Sequence, residues 1–170
     1  MKIVSTSSTC TYALKYEYGQ LLGLDHSSIQ GRVEYITRFL HRELQQGRLP
    51  RLKPLNIRVA YHAPCHLERM GGAIHTIGLL RKIPGLNLHL LHSECCGISG
   101  TYGFKEEFYQ IAQDVGQELF RNIEALKPDW VVTDCETCRW QIESNTAFEV
   151  IHPVTLLAWA LDTENEPPTS

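Results

Sequence analysis

Short runs rich in β-branched and aromatic residues recur along the chain: KIVS (residues 2–5), NIRVAYH (56–62), NLHLLH (87–92), DWVVTD (129–134) and EVIH (149–152). Each has the length and composition of a strand. Between them apolar residues return every three or four positions, the period of a helix with one buried face. The clearest case covers 105–126, where Phe108, Ile111, Ala112, Val115, Leu119, Ile123 and Leu126 make one predicted stripe, closed by Lys127 and Pro128. Further helices are predicted over 11–22, 29–46, 67–81 and 153–161, the last opened by Pro153, whose missing N–H costs nothing in a first turn. That last helix is apolar nearly all round, which predicts burial beneath the core. Strand and helix in alternation predict an α/β fold, a mostly parallel sheet with flanking helices. GRLPRLKPLN (47–56) reads as a linker and DTENEPPTS (162–170) as a flexible tail.

The pattern also repeats. IVSTSSTCTYAL (3–14) lies over VVTDCETCRWQI (131–142) with a constant shift of 128 residues and no gap. Val4 meets Val132, Thr9 meets Thr137, Cys10 meets Cys138, Tyr12 meets Trp140 and Leu14 meets Ile142. The chain is therefore expected to hold the end of one unit (1–50) and a complete second unit (51–161). The same register sets Ser7 against Cys135, so the first copy has Ser-x-x-Cys where the second has Cys-x-x-Cys.

Composition narrows the chemistry. With 170 residues, 43% of them hydrophobic, the chain can bury an ordinary core. A formal charge of −3 and a pI near 6.2 give no electrostatic reason to bind nucleic acid or an anionic membrane. No run reaches the roughly 18 to 20 apolar residues of a spanning helix, and a cytoplasmic location is expected. Thiols stay reduced there, so six cysteines point to metal ligands or redox groups rather than to structural disulfides.

Their positions sharpen that reading. In the second unit Cys65 follows one predicted strand, Cys95 and Cys96 follow the next, and Cys135 and Cys138 follow a third. Carboxyl ends of parallel strands converge on one edge, where open α/β sheets place their ligands. A structural zinc ion closes with four ligands, so five thiols are one too many. A dithiol at Cys135 and Cys138 gains from a helix start but leaves Cys65, Cys95 and Cys96 without a task. An iron–sulfur cluster has several irons, so neighbouring cysteines can bind different ones. Cys10 is a weaker candidate. Gly97, Gly100 and Gly103 are candidates for bringing backbone N–H groups up to cluster sulfur, which raises the potential, and the alternative reading is a turn before the 105–126 helix. His62, His66, His75, His89, His92 and His152 are read as hydrogen-bonded structural residues, the alternative for His62 and His66, which flank Cys65, being ligands or tuning groups of a cluster. Cys138 is followed by Arg139, which excludes covalent haem attachment.

At Cys65, Cys95-Cys96-Gly97 and Cys135-x-x-Cys138 the chain resembles the cysteine-rich CCG-domain family, of which the B subunit of heterodisulfide reductase is one member. The resemblance implies a [4Fe–4S] cluster of non-cubane type on the five cysteines. It implies paired modules, the first truncated here, and an electron-transfer subunit without a substrate-oxidising site of its own. Its partners would be a flavin-containing dehydrogenase and ferredoxin-type clusters of an amino-terminal region, with quinone as the eventual acceptor. Peripheral attachment to the inner membrane would come through those partners. Ser7 departs from the pattern, which argues against a disulfide-cleaving mechanism that needs two clusters.

Overall fold

The structure is a computed structural model that describes residues 1–91 and 95–161. It opens with strand β1 (Ile3–Ser5) and helix α1 (Ser8–Tyr12), which runs on through a π-helical turn (Ala13–Glu17) into α2 (Tyr18–Gln20). A short helix α3 (Ser27–Gln30), strand β2 (Val33–Tyr35) and helix α4 (Ile36–Gln45) follow. Next come β3 (Arg58–His62), α5 (Cys65–Arg69), α6 (Ala73–Leu80), β4 (Asn87–Leu90), a 3₁₀ turn (Tyr102–Phe104) and α7 (Glu106–Leu126). The fold closes with β5 (Trp130–Thr133), α8 (Glu136–Glu143), β6 (Val150–Ile151) and α9 (Pro153–Leu161).

All strand pairs among the described residues are parallel. One sheet has the order β1-β2 and the other β4-β3-β5-β6. The α/β expectation therefore holds, with two sheets in place of one. The central strands carry apolar side chains on both faces, as a sheet covered by helices requires. Val59, Ala60, Val131 and Val132 are fully buried. Leu79, Leu80, Leu156 and Leu157 close one face and Leu119, Phe120 and Ile123 the other.

Four elements differ from the expectation. The helix expected over 29–46 is broken by β2, because Val33 and Tyr35 sit opposite Ile3 and Ser5, and sheet pairing overrides the local helical period. The helix expected over 67–81 starts earlier, at Cys65, and is interrupted at Gly71, which takes the left-handed φ of 64° that glycine adopts at no steric cost. The stripe on α7 splits: Ala112, Leu119 and Ile123 are buried, while Ile111 and Val115 are about half exposed. The segment 47–56 is packed rather than free, with Leu52 and Leu55 in the core and the Lys53 N–H bonded to the Ala160 carbonyl at 2.8 Å. The predicted tail at 162–170 and His92 lie outside the described residues.

Helix α9 buries Pro153, Leu156, Leu157 and Ala160, but Thr155 and Ala158 are exposed, so it lies on the core with one face and not beneath it as its all-round apolar sequence predicts. No helix among the described residues is long and apolar enough to cross a membrane.

Candidate metal centre

The carboxyl ends of β3, β4 and β5 do converge. Cys65 opens α5 directly after β3, Cys135 is the N-cap of α8 after β5, Cys138 lies one turn on, and Cys95 and Cys96 stand in the loop after β4. All five cysteines line one cleft of about 290 Å³, together with Thr9, Thr137, His66, Arg69 and Gly100. Cys96, Cys135 and Cys138 form its buried floor, while Cys65 and Cys95 are exposed at its mouth. Cys10 is exposed and lies off the cleft; α1 presents Thr9 to it instead.

The thiols compete for protons. Cys96 Sγ and Cys138 Sγ are 3.1 Å apart. Hydrogen bonds from the Cys138 and Cys95 thiols hold Cys96 far below an ordinary thiol despite its burial. Cys95 is pushed up in turn, by its bond to Cys96 and then by burial. Cys138 is also pushed up, by its bonds to Cys135 and Cys96. Cys135 is pulled down to about 5 by the Cys138 thiol and by the hydroxyls of Thr137 and Thr9. Burial and the neighbouring Cys96 and Cys135 raise Cys65. The set thus favours two thiolates and resists more, because each further negative charge in the cleft repels the first two. A group that brings several positive charges removes that limit, since coordinated thiols lose their protons outright. The donor set of five sulfurs around one cavity fits an iron–sulfur cluster.

Of the candidate glycines, Gly97 donates its N–H to Cys95 Sγ at 3.4 Å. Its φ of 88° and the carbonyl of Ala112, into which an added Cβ would run, leave room for glycine alone. Gly100 lines the cleft. Gly103 lies outside the cleft lining, pressed against Ala112 of α7, where a Cβ would come within 2.6 Å of the alanine's own.

His62, the weaker of its two sequence readings being a ligand, stands at the site together with three residues to which the cysteine pattern does not point. His62 is buried at the end of β3, and its ring nitrogen lies within 4.8 Å of both Cys96 Sγ and Cys138 Sγ. Thr9 and Thr137 bring hydroxyls to 3.8 and 3.2 Å from Cys135 Sγ. Asp134, fully buried beside Cys135, accepts hydrogen bonds from Tyr61 Oη (2.6 Å), Tyr35 Oη (2.9 Å) and Thr76 Oγ1 (3.1 Å). Burial pushes its carboxyl up to about 6 against these donors. The network continues outward. His152 Nδ1 accepts from the Val154 N–H at 3.1 Å, so Nε2 carries the proton and donates to Tyr35 Oη at 2.9 Å. Because Tyr35 ends β2 and Tyr61 lies in β3, Asp134 joins the two units just beneath the cysteines. A DC pair after a strand is the available signal, but aspartate there reads as an ordinary turn residue.

The site defines a class: a parallel α/β unit that gathers five cysteines from three strand ends. Its residues 59–143 match the profile of the cysteine-rich domain family named CCG, and the chain belongs to that family. It is 53% identical over 159 residues to the C subunit of anaerobic glycerol-3-phosphate dehydrogenase from Escherichia coli (strain K12), covering 94% of this chain and 40% of the relative. The B subunit of a CoM/CoB fumarate reductase from Methanothermobacter marburgensis is 29% identical over 91% of this chain and 30% of its own length. The glycolate oxidase iron–sulfur subunit of Escherichia coli (strain K12) is 26% identical over 95% of this chain and 40% of its own. The chain thus spans two fifths or less of these relatives.

Proposed function

We propose that the chain is an iron–sulfur electron-transfer module of a respiratory dehydrogenase, of the type of the C subunit of anaerobic glycerol-3-phosphate dehydrogenase. The observation that carries this reading is the single cleft lined by Cys65, Cys95, Cys96, Cys135 and Cys138. In it those five cysteines hold a [4Fe–4S] cluster, of non-cubane type, that accepts and releases electrons. The protein's own residues set the conditions. Cys96, Cys135 and Cys138 bury one side away from water; the Gly97 N–H and the threonine hydroxyls bond to sulfur; and the exposed Cys65–Cys95 side faces outward, where a partner's donor can approach. Residues 1–50 act as the remnant of a first module and 51–161 as the complete one. Electrons come from a flavin-containing dehydrogenase and pass towards quinone, at the cytoplasmic face of the membrane, with the protein held there by its partners. The chain contributes no substrate-oxidising site of its own.

Anaerobic reconstitution with iron and sulfide is the test: about four irons per chain and a paramagnetic signal on reduction are expected. A colourless protein after loading overturns the reading. A second reading has one observation in its favour, the buried trio His62, Cys96 and Cys138, whose ligand atoms lie close enough together for a single ion. One zinc per chain without labile sulfide would establish that alternative, a zinc-stabilised docking module.

A further inference from the structure

Thr9 and Thr137 are related by the 128-residue shift of the internal repeat, yet both hydroxyls converge on one sulfur, Cys135 Sγ, at 3.8 and 3.2 Å. Thr137 belongs to the same turn as Cys135, so its approach is local. Thr9 crosses from the other unit. Its own turn offers no thiol to serve: Ser7 stands where Cys135 does, and Cys10 is exposed to solvent. Thr9 is also held in place. His66 Nδ1 lies 3.2 Å from Thr9 Oγ1, and the His66 ring stacks on Tyr12 of α1 at 4.9 Å with the planes 8° apart.

We propose that Thr9 is a cross-unit positioning residue that tunes the redox centre: its O–H donates to the Cys135 sulfur and favours the reduced, more negative state. The assignment rests on the reading of Cys135 as a cluster ligand. A metal-bound thiolate has no proton and can only accept, so the hydroxyl must donate. The oxygen is then free to accept from His66 Nδ1–H, which polarises the O–H towards sulfur. Reduction adds one electron to the cluster and its sulfurs, and a donor to sulfur stabilises that added charge and raises the potential. The first unit, without a thiol pair of its own, thereby takes part in the site of the second.

The test compares the wild-type chain with Thr9→Val and Thr9→Ser, each loaded anaerobically. Iron content, a redox titration followed by paramagnetic resonance, and deuteron couplings in D₂O are measured. At a fixed ambient potential Thr9→Val is expected to lower the reduced-to-oxidised ratio by roughly three- to tenfold, a tenfold change being about 59 mV for one electron. It should also lose one exchangeable deuteron coupling, while Thr9→Ser keeps both. An unchanged potential and unchanged couplings in a fully loaded Thr9→Val overturn the proposal. So does failure of Thr9→Val to load at all, since the hydroxyl would then serve assembly and not the potential. If the wild-type chain itself takes up no cluster, the fault lies instead with the reading of the five cysteines.

Discussion

The turn after β1 and the turn after β5 share a backbone and differ in what they hold. Both follow a parallel strand, and both start a helix from an extended N-cap, Ser7 with φ −105° and ψ 125°, Cys135 with φ −139° and ψ 121°. In the first, Ser7 Oγ takes the Cys10 N–H at 3.3 Å and the turn is satisfied within itself. In the second, the N-cap side chain is a sulfur facing other sulfurs, and the cap bond is given up. The neighbours decide the rest. Beside β5 stands β3, and beside β3 stands β4, and the loops after these two bring Cys65, Cys95 and Cys96; beside β1 only β2 is paired among the described residues. Local structure alone therefore builds the seat for a thiolate. A metal centre needs the further strand ends.

The largest test of that difference exchanges the two N-caps. Cys135→Ser is expected to lose nearly all bound iron, and Cys96→Ser or Cys138→Ser likewise, whereas Cys10→Ser loses none. Ser7→Cys, which restores the paired pattern in the first turn, is expected to add none, because β2, the strand paired with β1 among the described residues, is followed by no cysteine of its own. Iron and sulfide analysis of the loaded variants decides it. A second equivalent of iron in Ser7→Cys would show that the turn alone suffices.

The residues before the two caps come next. Asp134 accepts from three buried hydroxyls, and Asp134→Ala leaves all three without their acceptor, so a loss of about 3 kcal/mol is expected in denaturant unfolding of the apoprotein. Its counterpart Thr6 is exposed, and Thr6→Ala should stay within about 0.5 kcal/mol. Equal losses at both positions would remove the distinction. A steric test follows in size. Gly97→Ala must move the Cys95–Cys96 loop off α7 and is expected to cost about 2 kcal/mol and part of the iron, while Gly100→Ala, at φ 67° with open space around it, costs about 1 kcal/mol in backbone strain and leaves the iron in place.

The strands and the cysteine spacing were legible because they rest on local pattern: β3, β4, β5 and β6 lie within the runs read as strands, and Cys65, Cys96 and Cys135 follow strand ends. What stayed hidden depends on pairing across the chain. Strand β2 is three residues long and exists only because β1 lies beside it. Thr9 gives no signal of its own until α1 packs on α5 and brings it to His66, and the reach from Thr9 to Cys135 spans more than a hundred residues of sequence. Ile111 and Val115 keep the helical period of α7 but fall on its outer side. Periodicity marks an apolar stripe without saying how wide a strip the sheet can cover. Spacing groups Gly103 with the other glycines; α7 crowds both it and Gly97, and what separates them is that the Gly97 N–H bonds to Cys95 Sγ while the Gly103 N–H bonds to the Ile98 carbonyl.

The smallest expected effects separate the units by pH. Glu34 of β2 is burdened by burial, but bonds from Arg42 and Lys2 prevail and hold its carboxyl below the ordinary 4.5. A carboxyl that is more acidic in the folded chain adds stability above its unfolded value and loses it as pH falls through the folded one. Glu34 thus weakens the first unit only in acid below about 4.5. His75 of α6 is lowered from 6.5, first by burial and then by Arg38 and by His41, whose Nδ1 is 3.4 Å from its own. A base held neutral by the fold is protonated first in the unfolded chain, so its contribution is intact above about 6.5 and falls away below that. In unfolding of the apoprotein followed from about pH 8 down to about 4, where Cys135, Asp134 and His152 titrate as well, the limb below about 6.5 should be flattened relative to the wild type in His75→Gln and the limb below about 4.5 in Glu34→Gln. Glu34 also acts on His75, raising it against Arg38 and His41, so Glu34→Gln is expected to steepen the upper limb slightly; an effect there as large as that of His75→Gln would show that the charge clasp around Glu34 and the histidine pair between α4 and α6 are one coupled system.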